Sequence, residues 1–133
     1  MMKTKSVVFD AYGTLFDVNS AAEKCKDKIG SNWEAFANFW RTTQLEYTWL
    51  RSLMKRHKNF WEVTEDSLDK SMKMFNINKN MKNELLNLYK ILTPYPEVRE
   101  VLEDLKKKNY KLAILSNGTP PLLNELVTSN KLN

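Results

Sequence analysis

Apolar positions along this chain follow two different periods, and each period predicts a different element. Lys5-Ser6-Val7-Val8-Phe9 is a short β-branched and aromatic run that predicts a first strand over residues 5–9, apolar enough for a buried parallel sheet. From Asp17 to about Leu92 the pattern turns helical. Ser31-Asn32-Trp33-Glu34 has the spacing of a capping box, and it opens a long run in which Trp33, Phe36, Ala37, Trp40, Leu45, Trp49, Leu50 and Leu53 recur at helical intervals. Thr64-Glu65-Asp66 predicts the start of another helix with acids in its first turn, and Asn80 predicts a third that ends before Thr93-Pro94-Tyr95-Pro96. After the prolines, Pro96 to Lys108 predicts a helix with Val98, Val101, Leu102 and Leu105 on one face. Lys111–Leu115 predicts a second strand, and residues 121–130 a last helix carrying Leu122, Leu123, Leu126 and Val127. No repeat or low-complexity segment interrupts this order.

The first strand ends abruptly at Asp10 and passes into Ala11-Tyr12-Gly13-Thr14-Leu15-Phe16. Open α/β folds place their chemistry at the carboxyl ends of strands, and Gly13 lets the backbone turn closely around a reacting group. An isolated Asp three residues before a Gly is usually a turn cap, but the full ten-residue string displays Asp10 as a nucleophile. Arg41 stands among the aromatic positions of the long helix, and its charge cannot be removed by a pKa shift, so it needs an anionic partner. Glu46, at a spacing of five, or an incoming anion could fill that place.

Composition narrows the classes. The 133 residues suit one domain by length, with 42% hydrophobic and 28% charged residues. No run approaches the roughly 20 apolar residues of a membrane span. Lys3 and Lys5 precede an apolar stretch, but Asp10 interrupts it before a signal-peptide h-region can form, so the cytoplasm is expected. Cys25 is the only cysteine and His57 the only histidine; no disulfide and no zinc-type ligand cluster is expected, and both residues read as structural. The net charge of +5 raises nucleic-acid binding, yet the lysines are spread from Lys3 to Lys131 among acids. The one tight run, Lys106-Lys107-Lys108, falls at a helix end where cations meet the macrodipole. A solvated surface with no nucleic-acid partner is the expectation.

Three islands carry a family resemblance. Val7 to Phe16, continuing to Asp17-Val18, resembles motif I of the haloacid dehalogenase superfamily in the wording of its L-2-haloacid dehalogenase branch. Phosphatases of the superfamily carry a second Asp two residues after the nucleophile; here that place is Tyr12. A phenol, with a pKa of about 10, does not replace a carboxylic acid at neutral pH, and no second carboxylate stands beside Asp10 to build a magnesium site. Phe39 to Met54 resembles the family's cap helix, with Arg41 where that family places its halide-binding arginine. Lys111 to Gly118 resembles motif II, a strand ending in a hydroxyl residue.

The resemblance implies a truncated Rossmann-like core of two parallel strands with flanking helices (residues 1–16 and 93–133) and an inserted helical cap (residues 17–92). It implies displacement of halide from a short 2-haloalkanoic acid. Asp10 attacks Cα to form an ester, Arg41 stabilises the departing halide, and Thr14 positions the Asp10 carboxylate. Ser116 Oγ and the Asn117 amide hold the substrate carboxylate, while Tyr12, Leu45 and Phe60 line the apolar pocket. No metal or organic cofactor is implied. The residue after the arginine is often Gln in the family pattern, and here it is Thr42. A motif III lysine and a motif IV acidic segment are not found before Asn133, so little or no turnover is expected of this chain alone. The resemblance also implies a homo-oligomer formed through the cap helix or a sheet edge, and leaves room for a complementing C-terminal fragment. The rival readings are a remnant that acts only through association with another chain, and a phosphatase, which Tyr12 disfavours.

Overall fold

A computed structural model describes residues 5–133; Met1 to Thr4, with Lys3 and the first part of the 1–16 segment, lie outside the described residues. Strand β1 (Ser6–Phe9) pairs in parallel with β2 (Lys111–Ile114), Val7 opposite Leu112 and Phe9 opposite Ile114. The ladder extends by one bond, from Leu115 N to Phe9 O at 2.9 Å, so both strands end at the same edge. Asp10 and Ser116 thereby leave the sheet on the same side. Between the strands lie helices α1 (Ser20–Lys24), α2 (Lys26–Ile29), α3 (Trp33–Leu53) and α4 (Phe60–Met74), a 3-10 turn (Lys79–Met81), then α5 (Lys82–Lys90) and α6 (Val98–Lys107). Helix α7 (Pro120–Ser129) follows β2, with prolines in its first turn, where a missing N–H costs no helical bond.

Two helix starts differ from the sequence expectation. Helix α3 begins after Asn32 with no side-chain cap, one residue later than a Ser31 cap requires; Glu34 is then the second helical residue rather than the third, so the Ser31–Glu34 box does not form. Helix α4 begins at Phe60 rather than Thr64, because Asn59 and Glu62 form a reciprocal box: Glu62 N donates to Asn59 Oδ1 at 2.9 Å and Asn59 N to Glu62 Oε2 at 3.0 Å. Thr64 is carried into the second turn and buried.

The core is aromatic and continuous between sheet and helices. Phe36 and Trp40 are buried on α3, as the helical spacing predicts, and the Trp40 indole donates to Thr64 O at 3.1 Å. Tyr12, Phe60 and Tyr89 stack in series, with ring centroids 4.4 Å apart for Tyr12–Phe60 and 5.9 Å for Tyr12–Tyr89. The distal end of α3 behaves differently. Trp49, Leu50, Leu53 and Met54 remain exposed, Leu53 at 80%. So do Val8 and Leu115 on the open face of the sheet.

The chain crosses between sheet and helices twice, and the two crossings lie side by side. Asp17 N donates to Thr93 O at 2.8 Å and Tyr95 N to Leu15 O at 3.0 Å. Ser20 Oγ links them further, donating to Asp17 O and accepting from Thr93 N. Phe16, fully buried, bridges both Tyr12 and Pro94.

Candidate active site

The loop after β1 is shaped by one acceptor. Ala11 O receives the amides of Leu15 (2.9 Å) and Phe16 (3.0 Å), and Gly13 adopts φ +87°, a left-handed conformation open mainly to glycine. This turn lifts Asp10 out of the strand and exposes its carboxylate, to which Thr14 Oγ1 donates at 3.3 Å. Across the sheet, Gly118 N donates to Ser116 Oγ at 3.1 Å. The hydroxyl oxygen is thus already an acceptor, and its own proton is available to a ligand.

Helix α3 brings the cation. Arg41 Nη2 donates to Tyr12 O at 3.3 Å and Nη1 to Gln44 Oε1 at 2.9 Å. Among the described residues Arg41 makes no ion pair, and Glu46 is exposed and not its partner. A cleft of about 190 Å³ is lined by Asp10, Tyr12, Arg41, Gln44, Leu45, Thr48, Trp49, Phe60, Ser116 and Asn117. It is below the roughly 300–1,000 Å³ of drug-sized sites and suits a ligand of few heavy atoms. Of the residues singled out from sequence, Asp10, Tyr12, Arg41, Leu45, Phe60, Ser116 and Asn117 meet here, and Thr14 reaches the cleft through Asp10.

Gln44, Thr48 and Trp49 were not anticipated. Their signal was present in the spacing: with Arg41 and Leu45 they fall at positions i, i+3, i+4, i+7 and i+8 of one helix face. Larger hollows lie elsewhere, among them one of about 950 Å³ beside Asp69 and Lys82 and one of about 500 Å³ between the sheet, α6 and α7. The first holds an acid already paired with Lys82 at 2.7 Å, and the second is chiefly apolar. The small cleft alone joins an exposed carboxylate to an unpaired guanidinium.

Burial pushes the Tyr12 phenol above its ordinary range, with Tyr89 adding to the effect, so Tyr12 is a neutral wall of the cleft. Burial likewise pushes Tyr89 up to about 12, against hydrogen bonding to Gln44 and the nearby Arg41 charge. Tyr12 is wedged against Gly118: a Cβ built there would lie 2.8 Å from Tyr12 Cε2 and 3.1 Å from Leu123 Cδ2. Gly118→Ala is therefore expected to displace the Tyr12 ring and cost about 1–3 kcal/mol, the range for overpacking a tight contact. Urea unfolding reads the loss, and an unchanged midpoint would show that the contact relaxes freely.

Among the described residues no group of three or more His, Cys, Asp or Glu converges as a metal site, and no helix is long and apolar enough to cross a membrane.

Residues 4–133 match the family model of the haloacid dehalogenase-like hydrolases. The chain belongs to that family. It is 41% identical over 130 residues to (S)-2-haloacid dehalogenase 4A of Burkholderia cepacia, covering 96% of this chain and 56% of the relative. The (S)-2-haloacid dehalogenase of Xanthobacter autotrophicus is 41% identical over 127 residues, covering 94% and 49%. A crystal structure of a dehalogenase superposes with a TM-score of 0.92 at 39% identity, covering 99% of this chain and 59% of that one. The structure of L-2-haloacid dehalogenase from Xanthobacter autotrophicus with chloropropionic acid covalently bound gives a TM-score of 0.85, covering 98% and 54%. The haloacid dehalogenase-like chain thus spans about half the length of the curated relatives it matches, and shares with the solved structures its helix-rich fold and two parallel strands.

Proposed function

We propose that this chain carries the alkylation chemistry of an (S)-2-haloacid dehalogenase, with residues 17–92 acting as a cap over a core formed by 1–16 and 93–133. The observation that carries the reading is the single small cleft in which Asp10, Arg41, Ser116 and Asn117 meet. A 2-haloalkanoate would seat its carboxylate on the Ser116 hydroxyl and the Asn117 amide. Asp10 Oδ attacks Cα, the carbon–halogen bond breaks, and the halide leaves with its electron pair toward Arg41. Holding nucleophile and carbon in line supplies most of the acceleration, and the covalent ester divides a slow hydrolysis into two steps. Tyr12, Leu45 and Phe60 give the methyl or short alkyl group an apolar wall. A phosphatase mechanism would need an acid where the buried phenol of Tyr12 stands.

The second step is where these residues fall short. Water attacking the ester needs a base, and the cleft lining holds one carboxylate, Asp10, which the ester has consumed. With (S)-2-chloropropionate, about one equivalent of halide per chain is expected, with an ester on Asp10 seen by intact mass and peptide mapping. No adduct and no halide would overturn the reading; sustained release over many turnovers would overturn the stalled ester.

The same reading includes a homo-oligomer. The exposed Trp49, Leu50, Leu53 and Met54 at the end of α3 form the apolar surface expected to meet a second copy. Size-exclusion with light scattering at micromolar concentration should give a mass above the monomer and, for Leu53→Glu, the monomer; a monomeric native chain counts against it.

A further inference from the structure

The buried amide beside Arg41 has a fixed polarity. Gln44 is 2% exposed, and its Nε2 donates to Thr64 Oγ1 at 2.7 Å and to Tyr89 OH at 3.1 Å. The Thr64 hydroxyl gives its own proton to Phe60 O at 2.8 Å, so toward Gln44 it can only accept. The amide therefore turns its nitrogen to Thr64 and its oxygen to Arg41 Nη1, 2.9 Å away. Tyr89 OH donates to the same Gln44 oxygen at 3.3 Å. The chain of donors runs one way, from the Arg41 guanidinium through Gln44 and Thr64 to the Phe60 carbonyl, and no buried side-chain polar atom among the described residues is left without a partner.

Arginine side chains held inside proteins are ordinarily fixed by a carboxylate, whose fork matches the guanidinium. Here the fixing group is neutral. Two carbonyl oxygens, Gln44 Oε1 and Tyr12 O, orient the guanidinium and cancel none of its charge. We propose that Gln44 is a positioning residue that orients Arg41 while leaving its full positive charge for the anion released in the cleft, and that its neutrality is the property the site requires. A glutamate of the same length would hold Arg41 equally well and would compete with the halide for it.

This rests on the reading of Arg41 as the halide's partner, so the test separates the two. Bromide is titrated into the 133-residue protein at constant ionic strength while the Arg41 Nε–Hε resonance, assigned with Arg41→Lys, is followed by NMR. The native chain is expected to bind bromide, and Gln44→Glu to bind it at least tenfold more weakly with amide dispersion unchanged. Gln44→Met keeps the length and removes the acceptor; the Arg41 Nη signals should then average, with a smaller loss of affinity. Should Gln44→Glu not fold, Thr64→Val carries the test, since freeing the amide to turn should weaken bromide binding severalfold. Equal bromide affinity in the native chain and Gln44→Glu, or no binding by the native chain, overturns the proposal. Adduct formation from (S)-2-chloropropionate is scored separately. If it fails while the bromide difference holds, the alkylation reading falls and the role of Gln44 stands.

Discussion

Asp10→Asn is expected to reduce both halide release and ester formation by about 10⁴-fold or more, the scale on which removing a covalent nucleophile acts. The substitution is close to isosteric, and the neutral amide oxygen is a far weaker nucleophile toward Cα than the carboxylate anion it replaces. Asp10 is exposed and held by one hydrogen bond, from Thr14 at 3.3 Å, so the fold should change by no more than about 0.5 kcal/mol. Intact mass after incubation with (S)-2-chloropropionate, halide quantification and urea unfolding of the same preparation give the two halves of the comparison. Halide release that survives the exchange would remove Asp10 from the mechanism.

Phe16→Ala is expected to cost about 3–5 kcal/mol, the range for emptying a buried aromatic site. That is a large part of the roughly 5–15 kcal/mol that holds a domain folded. Phe16 is fully buried beneath the Asp10 loop, its amide on Ala11 O and its carbonyl receiving Gly13 N at 2.8 Å, while it bridges Pro94 on the returning chain. A cavity there loosens the turn that displays Asp10 as well as the junction of sheet and helices. The urea midpoint should fall with little change in slope. Leu53→Ala, which removes an 80% exposed side chain, should stay within about 0.5 kcal/mol and serves as the control. Equal effects from the two would mean that Phe16 is not the pin the packing makes it.

What could be read from the chain beforehand follows from range. Strands β1 and β2, helix α7 and the turn at Gly13 are set by local pattern and appear within a residue or so of the expected bounds. Helix starts were less legible because two cap signals competed. Asn59–Glu62 has the same spacing as Ser31–Glu34, and only the former has its first residue at the helix N-cap; the N-cap of α3 is Asn32 instead. Gln44 was passed over for a different reason: its spacing from Arg41 puts it on the cleft face, but a glutamine in mid-helix reads as solvated surface until Thr64 and Tyr89, distant in sequence, close over it. Trp49, Leu50 and Leu53 err in the opposite direction. Their spacing continues the core face of α3, but nothing within the described residues packs over the helix end.

The paired crossings at Asp17 and Thr93 have an architectural consequence. Because the chain departs and comes back one hydrogen bond apart, the sheet meets some seventy-five intervening residues as a gap of a single peptide width. Lengthening such an excursion raises its closure entropy only logarithmically, by about 0.6 kcal/mol per doubling. The seam itself therefore sets little limit on the length of what is threaded between the strands; what ties the excursion to the site is packing, through Phe60 and Tyr89 on Tyr12. New termini cut into the 55–59 connection, with the old ends joined, would leave the seam intact.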